Sequence, residues 1–380
     1  MSRTYYSAIQ PSSLKSFYSQ NDICDFIIKM PQGRAIVPGS IRLAGDLNIT
    51  CDRVSNPNIT LEDRVHLDMF AGAHSFIRSV NTQVNNITIE NTQAYPRIVS
   101  MMGQATEDLD SLNSSSSNLC ELKGTTNNFQ LIGNKLVDDN RCIAFSLKPM
   151  ISLNMANNLM GADKFGNIQL SFVLANAVEA LYTSNKANSE HMTNNATKFS
   201  ALNYKLFNLL LQWTEVDMTG SSGSIVMPVK HLYNQTITSE SSFLNVQAPA
   251  LYNAISLSFI KQTKRNSIFY NNLQCEKIFG IDQVGGGLEL LINATDTIIP
   301  FSIQDYNLVA LNYLNSLNGL NNKNLITNKV FENETFGIGF AMLTSSNDRI
   351  AIQLKINSSD YQNVIPKYDA FIFVNSFIQM

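Results

Sequence analysis

Charged side chains are scarce. Asp, Glu, Lys and Arg make up 15% of the 380 residues, against roughly 25% in an average soluble protein. The net charge is −3, and no basic block exceeds Lys261-Gln262-Thr263-Lys264-Arg265. Phosphate neutralisation supplies most of the affinity for nucleic acid, so no specific nucleic-acid binding is expected. The five cysteines are scattered and odd in number, with no Cys-x-x-Cys, which argues against a disulfide framework or a zinc site. None of the four histidines shares a metal-ligand spacing with another. No run approaches the roughly 18 apolar residues of a membrane span, and Met1-Ser2-Arg3-Thr4-Tyr5-Tyr6 has no apolar signal core. A soluble protein made in a cytoplasm is the expectation, and its Asn-x-Ser/Thr sequons then reflect an Asn-rich composition rather than glycan sites. No cofactor or metal is expected.

What remains is a chain that is 44% hydrophobic, enough to bury a core, with a polar, uncharged surface. Its length suits two domains. Residues 1–22 have no clear period and read as an N-terminal arm. Ser40 to Thr50 places Ile41, Leu43, Leu47 and Ile49 on one face of a strand. Further strands are expected over Val65–Phe70, with His66 and Asp68 on the polar face, and over Val84–Glu90, with Ile87 and Ile89 together. The period then changes: Tyr95, Ile98, Val99, Met102, Ala105 and Leu109 fall at helical spacing. Asn91 or Thr92 could cap this helix, Pro96 suits its first turn, and Ser111 to Ser117 would end it. Strands resume near 129–131, 142–147 and 168–174, and 183–200 reads as an exposed loop. The second half repeats the order: strands, a helix with apolar positions from Tyr306 to Leu317, then strands. The predicted fold is all-β, two consecutive jelly-roll barrels each with a short helical insertion, divided as 1–22, 23–200 and 201–380.

No catalytic constellation is evident. Glu107, Asp108 and Asp110 suit a solvated helix face better than paired acid–base carboxylates. Gly285-Gly286-Gly287 precedes a strand, whereas a phosphate loop leads into a helix, and Gly220-Ser221-Ser222-Gly223 reads as a turn. Trp213, the only tryptophan, suits a core or an interface. Tyr95-Pro96-Arg97 stands out and carries two readings: a helix start whose Arg97 pairs with a carboxylate, or a contact between subunits.

Pro38-Gly39-Ser40-Ile41-Arg42-Leu43, Gly72-Ala73-His74-Ser75-Phe76-Ile77-Arg78-Ser79 and Tyr95-Pro96-Arg97-Ile98-Val99 resemble the first barrel of double jelly-roll major capsid proteins of tailless icosahedral double-stranded DNA viruses. The likeness is to autolykivirus-like phages and, more loosely, to polinton-like viruses. It covers the first 110 residues best, with Pro366-Lys367-Tyr368-Asp369-Ala370 as a weaker echo. The resemblance implies a virion protein, not an enzyme, whose homotrimers form pseudo-hexagonal capsomers. Neighbouring capsomers, penton and minor capsid proteins, and an internal viral membrane would be its partners, with assembly in the host cytoplasm. It makes His74, Arg78, Tyr95 and Arg97 candidates for inter-subunit or structural contacts, and loops 183–200 and 231–247 candidates for outward towers. Rival readings are a carbohydrate-binding or adhesin jelly roll, a minor capsid or vertex protein, and a glycoside hydrolase, for which Glu90 and Glu289 give no convincing carboxylate pair.

Overall fold

The computed structural model describes residues 3–50, 65–106, 112, 120–124, 143–183, 203–237, 241–246, 251–268, 270–276, 287–292, 296–301, 306–318, 337–346, 350–355 and 367–380. In chain order the strands of the first half are β1 (Thr4–Ile9), β2 (Ile23–Lys29), β3 (Arg34–Ile36), β4 (Arg42–Thr50), β5 (Val65–His66), β6 (Ile77–Val84), β7 (Ile87–Thr92), β8 (Ile143–Leu147), β9 (Met160–Gly161), β10 (Asn167–Leu174), β11 (Tyr182–Thr183) and β12 (Asn203–Asp217). Those of the second half are β13 (Val226–Ile237), β14 (Ser241–Val246), β15 (Tyr252–Lys261), β16 (Gly287–Ile292), β17 (Asp296–Phe301), β18 (Ile338–Ser346), β19 (Ile350–Lys355) and β20 (Tyr368–Gln379). Two longer helices interrupt them, α1 (Tyr95–Thr106) and α2 (Tyr306–Asn318).

The strand orders are the same in both halves. The first has β1-β12-β4-β8, extended by β3 and β9, facing β2-β10-β6-β7; the second has β13-β20-β15-β18 and β14-β19-β16-β17. With the eight principal strands of each half numbered in sequence, both give sheets 1-8-3-6 and 2-7-4-5, the jelly roll. Each helix follows the fifth strand of its barrel and precedes the sixth. The recurrence of strands, one helix and strands in the sequence is thus a repeat of topology.

Alternation explains the first core. Ile168, Leu170, Phe172 and Leu174 of β10 are buried in strict alternation, and Phe26 and Ile28 of β2 join them beneath Leu43, Leu47 and Leu211 of the facing sheet. The expected face of Ile41, Leu43, Leu47 and Ile49 is buried throughout. Strands β3 and β4 pair successively along one edge of β12, while β1 takes its other edge. The break between β3 and β4 falls at Pro38, which has no amide proton to donate, and at Gly39, whose φ is +75°.

Several sequence expectations need correcting. Residues 1–22 are not simply an arm, because β1 pairs residue for residue with Thr4↔Val216 through Ile9↔Leu211. β12 completes the first barrel rather than opening the second, so the sheet pairings put the division after Asp217, not at residue 200. Val65–Phe70 contributes only two strand residues; His66 and Asp68 are buried, and Asp68 accepts the amides of Phe70 and Ala71 in a turn. Val84–Glu90 is not one strand: Asn85 and Asn86, with φ of 49° and 66°, turn β6 into β7, the positive-φ pair of a type I′ hairpin. Within β7 a bulge at Ile89 then breaks the alternation, so Ile87 is 66% exposed while Ile89 is buried. Ala94, with φ of 47°, stands directly before α1 in place of an Asn91 or Thr92 cap. Residues 231–237 and 241–246 are strand rather than tower loop. The expected strand at 129–131, the helix end at 111–117 apart from buried Leu112, the acidic group Glu107, Asp108 and Asp110, and the loop over 184–200 lie outside the described residues.

Candidate functional site

Tyr95 opens α1 with its ring fully buried against the first barrel. Its hydroxyl accepts the amide of Met150 at 2.9 Å and lies 2.8 Å from Nδ1 of buried His74. His74 Nε2 faces Glu121 at 3.7 Å. Glu121 also pairs with Lys123 at 3.0 Å and accepts the Lys148 amide at 3.0 Å. Burial pushes the Glu121 carboxyl up, but the hydrogen bond and charge of His74, the charge of Lys123 and the Lys148 amide outweigh it. The group is held well below the usual carboxylate range. A depressed folded-state pKa contributes stability above the unfolded value near 4.5, and that stability is lost as pH falls. Glu121→Gln is therefore expected to flatten the acid limb of stability. Urea unfolding at about pH 7, 5 and 3 checks this: the wild type should lose more stability on acidification than the variant, and equal losses would refute it.

Two residues later, Arg97 leaves the first barrel. Its guanidinium donates to Ser258 Oγ of β15 at 3.0 Å and to the carbonyl of Asn272, and it stacks 4.2 Å above the Phe371 ring of β20. The expected carboxylate partner is replaced by a hydroxyl, a carbonyl and a ring. Arg97 is 4% exposed, and burial pushes its pKa down to about 10, so it stays charged at neutral pH. Traffic also runs the other way. Asn271 donates to Asp68, Asn272 donates to the carbonyl of Val178, and Leu273 enters the core of the first barrel. Beside these contacts Ile98, Met101 and Ala105 of α1 pack on Tyr313, Leu314 and Leu317 of α2 and on Ile260, Phe371 and Phe373. The seam between the barrels is apolar at its centre and hydrogen-bonded at its edge.

A cavity of about 310 Å³ opens at that edge. Arg78 of β6 lines it, its side chain 49% exposed and 3.9 Å from Glu179. Of the four residues singled out by sequence, His74 and Tyr95 thus meet each other, Arg97 clamps the second barrel, and Arg78 stands at the cavity. Sequence reasoning missed Glu121, Ser258, Asn272 and Phe371, which have no local signal because their partners are remote in the chain.

Other residues with chemical potential have structural employment. Glu90 is buried and accepts from Ser152, Thr82 and Thr92. Trp213 is buried and donates to Glu215, which also binds Arg34. His231 meets Ser376 at 2.9 Å, and His66 stacks near Tyr182 at 5.4 Å. Cys24 and Cys275 are buried free thiols and Cys120 is partly buried and free; Cys51, Cys142 and His191 lie outside the described residues. Among the described residues no cluster of three His, Cys, Asp or Glu could hold a metal, and no helix is long and apolar enough to cross a membrane.

No family model matches the sequence, and no curated protein does. Solved structures are similar over its whole length. The Faustovirus major capsid protein superimposes with a TM-score of 0.62 at 9% identity, over 100% of this chain and 90% of that one. A chain of the PBCV-1 virus capsid gives 0.60 at 6% identity, over 100% and 95%. A chain of the Sputnik virophage gives 0.56 at 14% identity, over 100% and 88%. At these identities the likeness is one of architecture, and it agrees with the strand orders: this chain has the double jelly-roll fold, as does the Faustovirus major capsid protein.

Proposed function

We propose that this chain is a structural major capsid protein of an icosahedral virus. The observation that carries the reading is the tandem of two barrels with one topology, locked side by side in a single chain. That whole unit, not one barrel of it, is what resembles the capsid proteins of Faustovirus and PBCV-1. Three such chains present six similar barrels around a threefold axis. This gives near-sixfold packing from one gene, with closed contacts within the capsomer and repeated contacts between capsomers. The low charge suits large, wet contacts among many copies. Neighbouring capsomers are then the chief partners, with penton and minor capsid proteins and an internal membrane as further ones, and the virion is its location.

Light scattering after size exclusion tests the capsomer. A stable species near three times 42.3 kDa is expected. A monomer at micromolar concentration would overturn the trimer and favour a carbohydrate-binding or adhesin jelly roll, with glycan binding as its signature.

A further inference from the structure

We propose that the cavity between the barrels is a binding site for a small oxyanion, a phosphate or carboxylate compound, held by Arg97, Arg265 and Arg78. This goes beyond the capsid reading and does not depend on assembly.

Among the described residues the lining carries three guanidinium groups against one carboxylate, Glu179. Two of the three have a counter-charge: Arg265 pairs with buried Asp369, and Arg78 lies 3.9 Å from Glu179. Among the described residues Arg97, the most buried of the three, has no ion pair: its hydrogen-bond partners are neutral, and the charge of Asp68 acts on it more weakly than burial does. Arg97 and Arg265 moreover approach the same Phe371 ring, at 4.2 and 5.6 Å from its centroid. Two cations are thus gathered on one aromatic ring, Arg97 buried against it and Arg265 with its side chain 41% exposed at the mouth. A buried charge is costly unless paired, and an oxyanion reaching Arg97 would supply the pairing through charge-assisted hydrogen bonds, to which the planar guanidinium is suited.

The remaining walls narrow the ligand. About 310 Å³ is more than a bare phosphate needs and lies at the small end of ligand pockets. Leu232, Leu273 and Phe371 give an apolar side, and Asn234 and Glu179 give polar groups. The fit is to an oxyanion on a short organic body that carries a hydroxyl or ammonium group able to meet Glu179.

Calorimetric titration of the full chain with inorganic phosphate, and separately with acetate, at constant ionic strength tests the site. Saturable binding of at least one probe at one site per chain is expected. Arg78→Ala removes the half-exposed cation at little risk to folding, and should weaken binding by roughly tenfold. Lys29→Ala, an exposed cation on β2, should leave it unchanged. Arg97→Met, which keeps the side-chain bulk, should abolish it. No saturable heat with either probe, or equal affinity in wild type and Arg78→Ala, would overturn the proposal.

Discussion

Gly72→Ala is expected to destabilise the chain by roughly 3–5 kcal/mol, combining left-handed backbone strain with overpacking. Gly72 has φ of +51°, and a Cβ there would meet the Glu121 carbonyl oxygen at 2.3 Å and the Leu122 backbone at 2.8 Å. No flexible side chain can yield, because the obstacles are main-chain atoms. The segment 121–124 is docked by the Ala73 amide on the Glu121 carbonyl at 2.7 Å and by the Gly124 amide on the Met69 carbonyl at 3.0 Å. Pushing it away would also withdraw Glu121 from His74 and Lys148. Gly33→Ala separates the two contributions: its φ is +77°, yet nothing lies within 4 Å of the added Cβ. That variant should show the backbone strain alone, about 1 kcal/mol. Urea midpoints at unchanged slope would measure both. Equal costs at Gly72 and Gly33 would mean that 121–124 is not held against the turn.

That contrast marks where sequence reading stops. The strands β4 and β10 were legible because burial imposes period two on neighbouring residues, and helical spacing gave α1 its place but not its burial: Arg97, Ser100, Met101 and Gln104, off the apolar stripe, are buried too, and Met102, on it, is only partly so. The hairpin at Asn85-Asn86 sits inside an apparently continuous apolar pattern, so its positive-φ turn was hidden. The membership of β1 and β12 was illegible for another reason: Thr4 pairs with Val216, and no local feature marks that distance. The site behaves likewise. His74 and Tyr95, 21 residues apart, were singled out and do meet. Arg97 was singled out for a carboxylate or for a neighbouring subunit; within the chain its hydrogen bonds go instead to Ser258 and Asn272, 161 and 175 residues away, which no local signal could name. The residues that gave the resemblance to capsid proteins, around Pro38, Gly72 and Tyr95, lie at a strand break, a docked turn and the foot of the helix at the seam. These are places where the backbone or a remote contact restricts the residue.

Ile98→Asp should uncouple the two barrels. Ile98 is buried in the cluster that joins α1 to α2, Phe371 and Phe373. An aspartate at this position either buries an unpaired charge or takes up a proton and still leaves its polar atoms without partners. The cost is on the order of 4 kcal/mol or more, and it falls on the seam rather than on either barrel core. Neither β-sandwich loses a strand, so each half keeps its sheets. Scanning calorimetry should then show two separated transitions where the wild type shows one, and the threefold mass should fall to that of a monomer, because a pseudo-hexagonal capsomer needs its barrels at a fixed mutual angle. Ile87→Asp is the matched control: the same change on the solvent face of β7, 66% exposed, should stay within about 0.5 kcal/mol of the wild type and keep the assembly. Ile98→Ala, which opens a cavity without adding a charge, should cost roughly 2–5 kcal/mol yet keep a single transition. If Ile98→Asp unfolds in one step with its assembled mass intact, the helices do not couple the barrels, and the clamp is left to Arg97 and the 271–273 segment.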